Sequence, residues 1–477
     1  MILRDFYHND LAQASYLVGC AATGEALIVD PNRDVQQYLD LAEQEDLQIT
    51  AITETHIHAD YVSGARELAE RTGATLYLSK AGTDDWQYDF ADEAGATLIT
   101  EGDTIWVGNV RVDIWHTPGH TPEHLSFLVT DTVGADQPMG IFTGDFVFVN
   151  DVGRPDLLEK AAGYANTMDA GGRKLFQSLQ RVKELPDFVQ IWPGHGAGSP
   201  CGKALGAVPQ TTVGYERLFN WAFQVETEDE FVQSVLSDQP EPPVYFAEMK
   251  RVNKVGPAIT SDLAAPAELA IEDVSASLAN GEPIADLRPV DQYASKHIPG
   301  TINIPFDKGF VIWAGWLLPY DRPFHLIVSE QQLETATFEL RMIGLDSLHG
   351  FATPDVIDAW AGTGEDLQSI EQVTVDSLDQ LGDYHVVDVR GATEHADGHI
   401  PGSQNVPLGY VRDKLDEIPA NKPVIFHCQT GRRSSIAASV AAAKGRTNIL
   451  NLVGGMDAWQ QSDKPVESSR EEAGAVS

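Results

Sequence analysis

Short apolar runs punctuate the first 260 residues, and the stretches between them repeat their apolar positions at helical spacing. Residues 15–18 and 26–31 predict an opening hairpin. Residues 47–53, 110–115, 140–142 and 188–192 predict further buried strands, while 35–45 and 64–72 predict amphipathic helices. A helical stretch, 215–235, closes this half. Gln239-Pro240-Glu241-Pro242-Pro243 cannot continue a helix, and a new unit is expected after Gly256-Pro257.

The second half carries an internal repeat. Asp286-Leu287-Arg288 through His297-Ile298-Pro299-Gly300 to Asn303-Ile304-Pro305 returns 102 residues later as Asp388-Val389-Arg390 through His399-Ile400-Pro401-Gly402 to Asn405-Val406-Pro407, with nine of twenty positions identical. Each copy alternates short strands with helices, which predicts a small parallel sheet. The expected division is one domain at 1–260, two like domains at 264–362 and 370–468, and a flexible, charged tail at 469–477.

Composition narrows the function classes. A chain of 477 residues is too long for one core. Its net charge of -39 predicts a solvated acidic surface and argues against nucleic acid or an anionic membrane as partner. An anionic substrate would need locally placed arginines. No apolar run reaches spanning length; 309–318 comes nearest. The first eight residues lack a signal-peptide pattern, and the three cysteines, Cys20, Cys201 and Cys428, cannot build a disulfide framework. A cytoplasmic protein is expected.

The candidate chemistry sits at strand ends. Thr55-His56-Ile57-His58-Ala59-Asp60-Tyr61, Thr117-Pro118-Gly119-His120, Thr143-Gly144-Asp145 and Pro193-Gly194-His195-Gly196 each follow a predicted strand. Imidazole and carboxylate together suit zinc or non-haem iron. These four clusters resemble the metallo-β-lactamase fold over about the first half of the chain, and their flanks resemble its persulfide dioxygenase branch. The resemblance implies an αββα sandwich. In the binuclear hydrolases of that fold a second metal uses an Asp-His pair and the last histidine. Here the pair is Asp60-Tyr61, and a phenol is a poor substitute, so one metal is favoured. The dioxygenase branch implies one Fe2+ per chain on His56, His120 and Asp145, a set that leaves iron(II) with open positions. His58, Asp60 and His195 then orient ligands and water, with direct ligation the alternative for His58 and His195. Arg154 matches an arginine that contacts substrate carboxylates in glutathione-persulfide members. Their tyrosine after the last histidine is replaced here by Gly196-Ala197. Cys201 is either a persulfide carrier or an inert loop cysteine. His116 and His124 are expected in a helix, in a turn or at the surface, and Cys20 in the packing.

The second cysteine of interest, Cys428, follows the strand 424–427 and opens Cys428-Gln429-Thr430-Gly431-Arg432-Arg433 before a helix at 434–443. Helix amides and the arginines Arg432 and Arg433 would stabilise its thiolate, and the loop amides at Gln429, Thr430 and Gly431 would cradle an anionic substrate. With the repeated Asp-x-Arg, His-Ile-Pro-Gly and Asn-x-Pro, this loop resembles the rhodanese family, which implies two small doubly wound parallel-sheet domains. The first copy has no cysteine; its matching segment, 326–332, is expected to be catalytically silent, a spacer or docking domain.

Taken together the chain resembles a persulfide dioxygenase–rhodanese fusion. The resemblance implies iron-dependent oxidation of low-molecular-weight persulfides by oxygen to sulfite and a thiol, coupled to sulfur transfer with thiosulfate as linked product or substrate, in sulfide and persulfide detoxification. Expected partners are these small molecules, with no nucleic acid and no membrane; a homo-oligomer is allowed. The alternative is a glyoxalase II-type zinc thioester hydrolase fused to a sulfur carrier.

Overall fold

A computed structural model of the chain describes residues 1–160, 167–237, 239 and 241–469. The tail expected at 469–477 lies, from 470 onward, outside them. The chain separates into two compact units, Met1–Leu263 with Arg341–Gly344, and Ala264–Leu340 with Leu345–Ser477. Among the described residues no helix is long and apolar enough to cross a membrane.

The first unit holds two six-stranded sheets whose strands lie side by side in chain order. The first sheet runs from Ile2–His8 through Gln13–Cys20, Glu25–Val29, Gln48–Thr53 and Thr75–Ser79 to Thr97–Ile99. The second runs from Thr104–Val107 through Val110–His116, Leu125–Asp131, Gly140–Gly144 and Gln190–Pro193 to Thr211–Thr212. Tyr16, Val18, Leu27 and Val29 of one sheet pack against Val112, Ile114, Phe127, Phe142 and Trp192 of the other. Val35, Tyr38, Ala42 and Leu68, from helices Val35–Gln44 and Ala65–Thr72, cover the outside of the first sheet. Leu175, Leu179 and Val182, spaced along one face of the helix Met168–Lys183, cover the second. The result is the four-layer αββα sandwich that the resemblance implies. Covered on both sides, Gln13–Cys20 is buried at every position.

Strand direction then gathers the loops. Gly140–Gly144 and Gln190–Pro193 are parallel, and Val110–His116 runs the same way because Leu125–Asp131 is antiparallel to both its neighbours. Their C-terminal ends therefore open on one edge. Leu125 N–H donates to the Thr55 carbonyl at 2.7 Å and clips the loop after Gln48–Thr53 to the same edge.

In the second unit each repeat forms its own five-stranded parallel sheet. Both have the spatial order first, fifth, fourth, second, third. The repeated residues are the scaffold of this turn. Arg288 pairs with Asp286 at 2.6 Å and caps the Lys296 carbonyl at 3.0 Å; Arg390 pairs with Asp388 at 2.7 Å and caps the Gly398 carbonyl at 2.6 Å. Asn303 and Asn405 each donate to the carbonyls of their own Asp and Arg. Buried polar groups have to be satisfied, and the motif is the set of side chains that satisfies them.

Candidate functional site

The described residues contain two groups of side chains that could hold a metal ion, both buried: His56, His120 and Asp145, and Asp60, His195 and Cys201. Within each group the ligand atoms lie within 4.8 Å of one another. Asp145 stands between them, with Oδ2 3.5 Å from His120 Nε2 and Oδ1 3.3 Å from His195 Nε2. His195 Nε2 is also 3.1 Å from Asp60 Oδ2.

Each ligand is aimed by the chain around it. His120 Nδ1 bonds the Arg154 carbonyl at 3.0 Å, and His56 Nδ1 bonds Thr55 Oγ1 at 3.0 Å, so Nε2 of both is left for a ligand role. His195 Nδ1 bonds the Ala12 carbonyl at 3.0 Å. The loop carrying Asp145 is pressed so close that a Cβ on Gly153 would sit 1.7 Å from the Asp145 carbonyl; no other residue fits there.

Electrostatics favour a cation. Burial and the neighbouring imidazoles hold His56 well below the usual histidine range, and burial holds His120 low against the pull of Asp145. Both are neutral, as ligands must be. Neither oxygen of buried Asp145 accepts a well-formed hydrogen bond, and its charge is met only by the imidazoles of His120 and His195 at 3.5 and 3.3 Å, so a buried carboxylate is left with room for a cation. Two neutral nitrogens and one such carboxylate fit an iron(II) or zinc ion.

The residues expected to orient the ligands divide. His58 points away from the first group: Nε2 lies 3.1 Å from Asp30 Oδ1, and against burial the charges of Asp30, Glu54 and Asp60 push it up to about 9. Asp60 and His195 instead join Cys201. His195 is raised well above its usual range by Asp145 and Asp60 despite burial, and Asp60 is lowered by His195. Burial, with Asp145 beside it, pushes the Cys201 thiol up to about 12. The sequence reading left the second donor set short of a member; Cys201 completes it, arriving from a loop whose spacing said nothing about Asp60. Tyr61 is no ligand: it is buried and its hydroxyl donates to the Asp30 carbonyl at 3.3 Å.

Arg154 requires a correction. Expected to reach a substrate carboxylate, it is wholly buried and pairs with both oxygens of Asp156 at 2.8 and 2.7 Å, while Nη1 donates to the Pro200 carbonyl at 3.1 Å. Its side chain thus braces the Cys201 loop, and its backbone carbonyl aims His120. Of the places expected for His124, the surface is ruled out: it directly follows the turn at 122–123 and is fully buried, stacked 5.1 Å from the His56 ring, with Nδ1 on Thr117 Oγ1 at 2.9 Å. His116 is half-buried on the Pro122 carbonyl.

Three supporting residues escaped the sequence reading. Asp30, at a left-handed φ of 53°, accepts from Thr55 N–H at 2.6 Å and Thr55 Oγ1 at 3.0 Å. Glu123, pushed up to about 7 by burial, accepts from Ile57 N–H at 2.9 Å. Asn253 Nδ2 donates to the His58 and Tyr61 carbonyls at 2.8 and 2.7 Å. Asp30 precedes a proline after an apolar run, which is a faint signal; Asn253 carried none.

At the other site Cys428 ends the strand Val424–His427 and is buried. Its Sγ accepts Gly431 N–H at 3.2 Å, and Ser434 Oγ is 3.6 Å away. The two arginines do not reach it: Arg433 pairs with Glu394 at 2.7 and 2.8 Å, and Arg432 pairs with Asp307. The side chain of Gln429 is engaged elsewhere, its amide tying Arg390 to Asp457, so only its backbone amide is left for the expected cradle. Thr430 is exposed. In the cysteine-free repeat, Leu287 N–H donates to the Ile327 carbonyl as Val389 N–H does to His427, so Val328 stands where Cys428 does. Its helix begins at Glu330, two residues on, where Arg432 is four from Cys428, and no comparable loop remains.

Residues 8–195 match the metallo-beta-lactamase superfamily model, and residues 373–462 match the rhodanese-like domain model. A crystal structure of a metallo-beta-lactamase from Staphylococcus aureus subsp. aureus COL is 44% identical, covers 74% of this chain and 99% of its own, and superposes with a TM-score of 0.69. The probable polyketide biosynthesis zinc-dependent hydrolase BaeB of Bacillus velezensis is 25% identical over 47% of this chain and 88% of its own length. A hydroxyacylglutathione hydrolase of Nitrosococcus oceani is 31% identical over 39% of this chain and 63% of its own. With this sandwich and these strand-end donors, the chain belongs to the metallo-β-lactamase superfamily and carries a rhodanese-like domain behind it.

Proposed function

We propose that the first unit oxidises the terminal sulfur of a low-molecular-weight persulfide with oxygen, giving sulfite and a thiol, at one Fe2+ per chain. Cys428 exchanges sulfane sulfur in the same chain, with thiosulfate as the linked product or substrate. The observation that carries the reading is the donor set: two neutral imidazoles and one carboxylate, His56, His120 and Asp145, in a chain that also holds a cysteine at a strand-to-helix turn. Iron(II) bound by those three would supply the oxygen chemistry. The surrounding residues do the rest. The Arg154 carbonyl and Thr55 hydroxyl orient the imidazoles, burial excludes water, and His195 holds a proton between Asp60 and Asp145. At the second site Gly431 N–H and the Ser434 hydroxyl face Sγ and stabilise an anionic sulfur there.

A second reading is a zinc thioester hydrolase. The donor group Asp60, His195 and Cys201 favours it, as do the two hydrolase relatives. One experiment separates them: metal analysis of protein purified without air, with oxygen uptake on glutathione, coenzyme A and cysteine persulfides. The expected result is about one iron per chain and oxygen uptake, both lost together in His120→Ala and Asp145→Ala. Cys428→Ser keeps oxygen uptake but loses thiosulfate sulfur transfer, and its products shift towards sulfite. Two zinc ions per chain with thioester cleavage and no oxygen uptake would refute the oxygenase.

A further inference from the structure

The cysteine-free repeat supplies a side chain to the Cys428 loop. Asp307 follows its strand Ile302–Asn303 and takes Arg432 in a two-pronged pair, Nε to Oδ2 at 2.9 Å and Nη2 to Oδ1. Arg432 is the first residue of the helix Arg432–Ala443, directly after the loop glycine whose N–H meets Cys428 Sγ. The acid is held in place by its own chain. Phe310 N–H donates to the Asp307 carbonyl at 2.9 Å, and Gly309, at a left-handed φ of 90°, turns the backbone beside the guanidinium, where an added Cβ would be in ordinary contact, 3.6 Å from Arg432 Nη1. The two repeats are also pinned together around this pair. Asn303 N–H donates to Ser439 Oγ at 2.9 Å, Arg412 Nη2 donates to the Leu317 carbonyl at 2.7 Å, and Trp316 meets Tyr410 edge to face at 5.4 Å.

The charges explain what this does. The loop has two guanidinium groups, and both are neutralised by carboxylates. Arg433 is taken by Glu394 from its own repeat, but Arg432 is taken by an acid from the other. The Arg432 side chain is 25% exposed and Asp307 47% exposed, so solvent reaches the pair and an anion can compete for it. We infer that Asp307 is a positioning residue which restrains Arg432 and so sets how tightly the Cys428 site takes a dianionic sulfur donor. On this view the cysteine-free repeat is more than a spacer: it tunes the anion affinity of its neighbour.

The inference rests on the rhodanese reading of Cys428, and the test separates the two. The assay is thiosulfate-to-cyanide sulfur transfer by the full-length chain. The Cys428 thiolate attacks the sulfane sulfur, the S–S bond breaks and sulfite leaves with its electron pair; cyanide then removes the sulfur as thiocyanate and restores the thiolate. Asp307→Asn should lower the KM for thiosulfate roughly three- to tenfold, the effect of uncovering one partly exposed charge, with kcat within about twofold. The gain should shrink as salt rises and vanish in an Arg432→Ala background. An unchanged KM in a protein of unchanged melting temperature overturns the inference. So does the same KM shift without Arg432, or a joint fall of kcat and melting temperature, which would mean loosened repeats. Sulfur transfer surviving in Cys428→Ser would instead remove the underlying rhodanese reading.

Discussion

Arg154 spends its guanidinium inside the protein, on Asp156 and on the carbonyl of Pro200, just before Cys201. A guanidinium fork is suited to a substrate carboxylate, but it is equally suited to a buried internal one, and local sequence cannot tell which. The consequence is testable. Arg154→Ala leaves the Asp156 charge buried beside a lost brace, which should cost about 3–5 kcal/mol in stability and reduce metal loading through His120. Removing both charges, in Arg154→Ala with Asp156→Ala, should recover part of that loss. Denaturant melts and metal content decide it. A stable, fully metal-loaded Arg154→Ala protein with only a raised KM would return Arg154 to the substrate. Tyr61 shows the opposite case: acidity alone makes its phenol a poor ligand, and it turns to the Asp30 carbonyl.

At the scale of elements, the repeat explains itself through backbone satisfaction. Asp286, Arg288 and Asn303 in one copy and Asp388, Arg390 and Asn405 in the other make the same bonds, and none of them touches Cys428 Sγ. Identity between the copies therefore marks the turn between strands, while the chemistry lies where they differ: Cys428 against Val328. Asn405→Ala should take the Asn405 donor from the Arg390 carbonyl and leave the Asp388 carbonyl with Val406 N–H alone, at a cost of about 1–3 kcal/mol, read as a lower denaturant midpoint. Oxygen uptake should be unaffected. If the midpoint does not move, the carbonyls find other partners and the asparagine is not part of the latch.

For the whole molecule, a net charge of -39 dominates. Its ion pairs are mostly at the surface, where each contributes little, so the folded chain carries uncompensated repulsion between carboxylates. Screening should relieve it. The melting temperature should rise as sodium chloride goes from about 0.1 to about 1 M, over which the screening length falls from roughly 10 to roughly 3 Å. A melting temperature that falls with salt would mean that specific ion pairs outweigh the repulsion.

What the sequence determined by itself is whatever depends on neighbours along the chain. Apolar runs followed by His56, His120, Asp145 and His195 became strands with candidate donors at their ends, because strand burial and the turn that follows are local properties. The αββα order was implied by the family resemblance those clusters carry, and the Cys428 loop was legible because a strand, a glycine and a helix start lie within a few residues. Only the tertiary structure decided which donors share a site. Cys201 joins Asp60 and His195, Asn253 supports a loop almost two hundred residues earlier, His124 is buried by stacking on His56, and Asp307 reaches Arg432 from the other repeat. Each of these is a contact between distant segments. Chain direction and sheet packing set it, and no local periodicity encodes it.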